Sequence, residues 1–158
     1  TLLTFVRRGW LSLPGSSTIF LSMIFLLTNQ SCDSTNGEID LQGDNLFELQ
    51  YINAGMSGKI IEKKDLDFNE FIELSSDNHF VKRRIYLDST SIATGSYTLI
   101  QSEDSNYYEF EYEEESYLIQ NCTSSRKEHV SILNNKEIFN GSYLPCDGPG
   151  FGYRLANQ

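Results

Sequence analysis

The sequence has few of the residues on which metal and redox sites are built. Only three cysteines and two histidines occur among its 158 residues. There is no Cys-x-x-Cys pair, and neither His79 nor His129 has a cysteine near it, so the spacing of a zinc site is missing. A Gly-x-Ser-x-Gly element and a Cys–His pairing motif are missing too. We therefore predict no metal, no cofactor and no catalytic residue, and we expect that the protein is not an enzyme.

A hydrophobic run long enough to span a bilayer is also missing. The apolar run over residues 19–27 is too short for that, and it lies between Arg7-Arg8 and Ser31-Cys32. This order is typical of a bacterial lipoprotein signal, so we predict a signal peptide over 1–31 and lipidation of Cys32. The alternatives are an ordinary signal peptide cut near Ser31, an uncleaved N-terminal anchor, and export as a twin-arginine substrate.

Basic residues are scarce. The chain has 12 Lys+Arg against 22 Asp+Glu, and removing residues 1–31 takes away two arginines and no acid, which leaves a net charge of −12. Nucleic acid is excluded as a partner by this balance, because its phosphates require neutralisation by lysine and arginine. The expected partners are the membrane, through lipid on Cys32, and either a small apolar ligand or an envelope protein. We expect a monomer.

With Cys32 assigned to the lipid, Cys122 and Cys146 remain. In an exported chain two such cysteines are expected to form a disulfide.

The exported part divides into a tether and one domain. Residues 32–45 are the lipidated cysteine and a polar, flexible tether, and residues 46–158 carry short aromatic and β-branched segments separated by turn residues. The predicted strands are Leu46–Ile52, Phe71–Leu74, His79–Leu87, Ala93–Ile100, Tyr107–Glu113, Tyr117–Cys122, His129–Leu133, Glu137–Ser142 and Gly152–Leu155. A weak helical turn is expected over Ile60–Asp67. About nine strands at this spacing predict an all-β fold, and closure into a small antiparallel barrel removes exposed edges.

Two segments show which residues share a face. In the segment 107–113, Tyr108, Phe110 and Tyr112 alternate with polar residues, which predicts one buried and one solvated face. In the basic cluster 82–84, alternation places Arg83 on one face of its strand and its two neighbours on the other. These long side chains are expected either to pair with glutamates across the sheet or to meet an acidic ligand headgroup at the barrel mouth.

Several motifs together resemble a known family. They are Leu46-Phe47-Glu48-Leu49, Gly55-Met56-Ser57-Gly58, the segments 71–80 and 94–99, and the closing segment 146–153. Together they resemble the lipocalin-like (calycin-type) lipoproteins of Bacteroidetes-type bacteria, although Phe47 or Leu46 stands where that family usually has tryptophan. The resemblance covers residues 46–155 and implies an up-and-down barrel of about eight or nine strands on a lipid anchor. It carries over no functional residue.

These observations predict an exported, lipid-anchored protein of the cell envelope, on the outer membrane and facing the periplasm or the cell surface. The predicted function is a non-catalytic binding module for a small apolar or amphiphilic molecule. Its candidate ligand-binding residues are Arg83, Tyr97, Tyr108, Phe110 and Tyr112. The alternative is a protein-interaction or inhibitor subunit of the envelope that uses its acidic surface.

Overall fold

The computed structural model describes residues 43–156, which form an antiparallel sheet of nine strands. In chain order the strands are β1 (Asn45–Asn53), β2 (Ile60–Glu62), β3 (Asn69–Leu74), β4 (His79–Ile85), β5 (Thr90–Gln101), β6 (Asn106–Tyr112), β7 (Lys127–Asn134), β8 (Glu137–Asn140) and β9 (Gly150–Leu155). Single 3-10 turns lie at Gly55–Ser57, Lys63–Asp65 and Leu144–Cys146. No helix within 43–156 is long and apolar enough to cross a membrane.

The sheet closes on itself through its first and last strands. β1 pairs with β9 from Phe47↔Leu155 to Asn53↔Gly150, and β3 to β9 pair in sequence order, so eight strands form the barrel. On its other edge, β1 pairs with β3 along its first half and with the short β2 along its second half. The predicted all-β barrel is confirmed, with β2 as an additional strand.

Alternation along each strand separates an interior from an outer face. Tyr108, Phe110 and Tyr112 of β6 are buried, as the sequence predicts, while the intervening Glu109 and Glu111 lie outside. The interior changes from apolar to charged along β4, whose inward side chains are Phe80, Lys82 and Arg84 in chain order. One end of the barrel is therefore aromatic, and the other contains buried charges.

Two predicted elements differ in the structure. Tyr117–Cys122 is not a strand but part of the connection between β6 and β7, and Leu118 within it is completely buried. Ile60–Asp67 holds β2 and a single 3-10 turn. We call residues 116–121 the cap, because they cover the charged end of the barrel.

The disulfide prediction is confirmed, since Cys122 and Cys146 are bonded and their Cα atoms lie 5.7 Å apart. This bond joins the connection that carries the cap to the connection between β8 and β9. The predicted signal peptide, the lipidation of Cys32 and most of the tether lie outside the described residues.

Candidate functional site

Four of the five predicted ligand residues meet in the barrel interior. The rings of Tyr97 and Tyr108 pack edge to face at 5.5 Å between centroids, and Phe110 stacks on Phe80 at 4.4 Å. Tyr112 packs edge-on against Phe80 at 4.9 Å. Tyr108 and Phe110 expose none of their surface to water. These aromatic side chains fill the space that a ligand inside the barrel would occupy.

The fifth residue, Arg83, lies apart from this cluster on the outer face of β4. Its guanidinium is 3.8 Å from the carboxylate of Glu73 on β3, and both side chains are partly exposed. Its neighbours Lys82 and Arg84 point inward. Alternation correctly separated Arg83 from Lys82 and Arg84, but only the closed barrel shows which face is inside.

Lys82 is the centre of a buried polar network. Its ammonium donates to the carbonyl oxygen of Leu118 at 2.9 Å and to the carboxylate of Glu128 at 3.3 Å, and it lies 3.9 Å from Glu70. Glu128 also accepts hydrogen bonds from the hydroxyl of Tyr112 at 2.7 Å and from the backbone N–H of Gln120. The network therefore joins β4, β6 and β7 to the cap.

Arg84 and Glu70 form the second half of the network. The Nε of Arg84 donates to Glu70 at 2.5 Å, and the hydroxyl of Tyr153 donates to the other oxygen of that carboxylate at 2.5 Å. The Arg84 guanidinium lies 4.4 Å from the ring centroid of Phe68. Its Nη2 is buried and has no hydrogen-bond partner, and the same is true of Oε1 of Gln120.

The charges of the network balance, because two carboxylates face two cations. Taking such groups out of water is costly, so each is stable there only while its partners remain in place. Burial, followed by repulsion from the Glu128 carboxylate, raises the pKa of Tyr112 well above its usual range. Burial and the Glu70 carboxylate raise the pKa of Tyr153 in the same way. Both tyrosines are therefore neutral hydrogen-bond donors at physiological pH.

Sequence reasoning missed Glu70 and Glu128, although the pattern contained a sign of them. Glu70 lies two residues before Ile72, and Glu128 lies two residues before Val130, so each shares a strand face with buried apolar residues. A charged residue in phase with an apolar face is a candidate for burial with a partner. The partner itself comes from another strand and is not visible in the sequence.

A groove of about 710 Å³ lies on the outer face of β6, β7 and β8. Its floor includes Glu109, Lys127, His129 and Phe139, and its walls are residues 121–125 and 141–145, which the disulfide links. Its size is within the range of known ligand sites. Its lining combines one aromatic ring with charged groups and hydroxyls.

Ion pairs organise the floor of this groove. The carboxylate of Glu109 accepts from Lys127 at 3.0 Å and lies 3.1 Å from Nε2 of His129. The hydrogen bonds from Lys127 and His129 lower the pKa of Glu109. The hydroxyl of Ser142 exchanges hydrogen bonds with the backbone N–H and C=O of His129, so its described contacts are not those of a nucleophile activated by an imidazole ring.

Within residues 43–156, no group of three or more His, Cys, Asp or Glu side chains is arranged to hold a metal ion.

Comparison of the chain with protein families, with characterised proteins and with solved structures finds no match. The resemblance to lipocalin-like lipoproteins therefore rests on the residues and on the barrel alone.

Proposed function

We propose that the protein is a non-catalytic, membrane-tethered recognition module that binds a protein partner through its outer groove. The observation that carries this proposal is an open groove on the outer face whose two walls are joined by the Cys122–Cys146 disulfide. Joined walls lose little conformational entropy when a partner binds. The net charge of −12 that remains after residue 31 favours a partner with a basic surface, because it accelerates encounter and disfavours acidic competitors.

The alternative is a small apolar ligand inside the barrel, and the interior gives it less support. Tyr108, Phe110 and Tyr112 occupy that volume, and the first two expose no surface. Native mass spectrometry of residues 33–158, isolated without detergent from an oxidising compartment, separates the two functions. We expect a bare protein, lighter by two hydrogens for the disulfide. A bound mass of a few hundred daltons that is lost on denaturation would support the small ligand instead.

Photo-crosslinking in the native envelope tests the groove directly. A photoreactive residue in place of Ser131, which lines the groove, should give one dominant protein adduct. Its yield should fall when crosslinking is done in about 0.5 M salt, which screens the attraction between the partners. The matched control replaces Thr90, an exposed residue of β5 that does not line the groove, and should give none. Equal adducts at both positions, or an adduct at Thr90 alone, would contradict the proposed surface.

The anchor has its own test. Cells that express the full chain should incorporate labelled fatty acid into the wild type and not into a Cys32→Ser variant. A wild type that stays in the membrane fraction without incorporating labelled fatty acid would show that the tether is an uncleaved segment rather than a lipid.

A further inference from the structure

The cap meets the buried charges through its backbone. The carbonyl oxygen of Leu118 accepts from Lys82, and the N–H of Gln120 donates to Glu128. Residues 116–119 form a turn in which the N–H of Ile119 donates to the carbonyl oxygen of Ser116 at 3.1 Å. The charged end of the barrel therefore holds this turn and the residue after it by one backbone acceptor and one backbone donor, the C=O of Leu118 and the N–H of Gln120.

The charge balance defines which groups this end of the barrel accepts. Glu70 and Glu128 already compensate Lys82 and Arg84, so an added anion or cation would be buried without a counter-charge. A neutral amide supplies one acceptor for Lys82 and one donor for Glu128. The chemistry fits a peptide backbone and not an acidic headgroup.

The side chain of Leu118 fills an apolar position between the two backbone contacts. It is completely buried and belongs to the core cluster, whereas Tyr117 beside it is 61% exposed. The barrel end thus accepts one leucine-sized group between the two backbone contacts.

The cap leaves part of the site unused. Oε1 of Gln120 and Nη2 of Arg84 are buried without hydrogen-bond partners, although the Arg84 side chain also interacts with Tyr86, and leaving such buried polar atoms unsatisfied is unfavourable. A peptide that gave Arg84 a further acceptor would fit better than the cap does.

We propose that residues 116–121 act as an intramolecular ligand of a peptide-binding site formed by Glu70, Lys82, Arg84 and Glu128. The site takes a neutral peptide segment that makes the same turn and carries a leucine-like side chain, and a partner's segment binds by displacing the cap. This proposal does not depend on the outer groove.

Besides the bonds to Lys82 and Glu128, three further links hold the cap in place and limit its opening. Cys122, which is bonded to Cys146, follows Gln120 by two residues, and the hydroxyl of Tyr117 bonds that of Ser91 at 2.5 Å. The side-chain amide of Asn121 donates to the carbonyl oxygen of Lys127 at 2.6 Å. Apparent affinity for a partner's peptide falls with the fraction of molecules whose cap is open. Breaking the disulfide should therefore strengthen the binding of peptide while it weakens the fold.

The probe is the hexapeptide of residues 116–121, blocked at both ends, and the control peptide carries Leu118→Asp. A tethered segment competes at an effective concentration on the order of millimolar, so the free peptide is used in that range. Hydrogen exchange of the Leu118, Ile119 and Gln120 amides is compared with exchange of the β6 amides in the oxidised protein. The probe should accelerate exchange of the cap amides at least tenfold and leave exchange of the β6 amides unchanged, and the control peptide should change neither.

In the Cys122→Ser/Cys146→Ser variant, the same probe should bind at least fivefold more tightly. The proposal is overturned if the cap amides exchange only as slowly as those of β6 and the probe changes nothing in the oxidised protein. If the double variant does not fold, the exchange experiment on the oxidised protein decides alone.

Discussion

Lys82 and Arg83 are neighbours in the sequence, yet the alternation of β4 gives them opposite environments. Lys82 is completely buried between Glu70 and Glu128, whereas Arg83 makes a partly exposed ion pair with Glu73. Lys82→Met should lower the free energy of unfolding by about 3–5 kcal/mol, because it leaves a buried carboxylate without its cation. Arg83→Met, the matched control, should change it by less than about 0.5 kcal/mol. Urea unfolding at pH 7 measures both.

Similar losses for the two variants would show that Lys82 is not buried as described. A Lys82→Met/Glu128→Gln double variant should recover part of the loss, since it removes the uncompensated charge as well.

The buried tyrosines predict how stability depends on alkaline pH. The pKa values of Tyr112 and Tyr153 are raised in the folded state, so their contribution is complete below the unfolded value of about 10 and is lost as the pH rises above it. The contribution of these tyrosines to the free energy of unfolding, obtained from urea unfolding at each pH, should be steady up to that pH and then fall. In Tyr153→Phe the decline should be shallower by about 1.4 kcal/mol per pH unit, because one ionising group is gone. An unchanged slope would mean that Tyr153 ionises equally in both states.

At the scale of the element, β5 contains a glycine that its neighbours require. A Cβ at Gly95 would lie 2.2 Å from the carbonyl oxygen of Glu111 on β6 and 2.6 Å from the ring of Phe80. Gly95→Ala should therefore destabilise the barrel by at least about 2 kcal/mol, because the backbone of β6 must move. Ser96→Ala, one residue further and exposed, should stay within about 0.5 kcal/mol. Thermal unfolding of the two variants tests this, and a well-tolerated Gly95→Ala would contradict the close approach of β5 and β6.

Strand β6 and the segment Tyr117–Cys122 show where local sequence patterns predict the secondary structure and where they do not. Alternation in β6 correctly separated its buried aromatics from its glutamates, because one face of that strand is wet. The prediction of a strand over Tyr117–Cys122 is wrong, although the apolar residues of this segment suit a strand locally. In the structure, Leu118 and Gln120 of this segment turn inward to side chains of β4 and β7.

The candidate sites were predictable to different degrees. The aromatic interior follows from composition and period, whereas the buried network depends on pairs such as Glu70 with Arg84, which lie 14 residues apart. Which of Arg83 and Arg84 faces inward depends on the direction in which the sheet curves, and no local pattern encodes that. The outer groove arises only where two connections meet across a disulfide.

At the scale of the whole molecule, the disulfide is the covalent link between two connections at the capped end. Cys122 and Cys146 are 24 residues apart, and closing a loop of that length stabilises a fold by about 3.5 kcal/mol on the chain-entropy model. Cys122→Ser/Cys146→Ser should lower the urea midpoint accordingly. In the presence of a reductant, the urea midpoint of the wild type should fall to that of the double variant. The midpoint of the double variant should not change with reductant. A wild type that is insensitive to reduction would show that the described bond does not contribute to stability.

The pairing of β1 with β9 also determines how late in synthesis the barrel can close. Its first barrel strand finds its final neighbour only in residues 150–155, about a hundred positions later in the chain. A chain that is synthesised from its N-terminus therefore cannot close the barrel until β9 has been made. Until then one edge of β1 remains unpaired, and contacts between such distant residues form slowly. The interval between the arrival of the first strand and that of the last is thus the period in which the chain is most exposed to proteases and to aggregation.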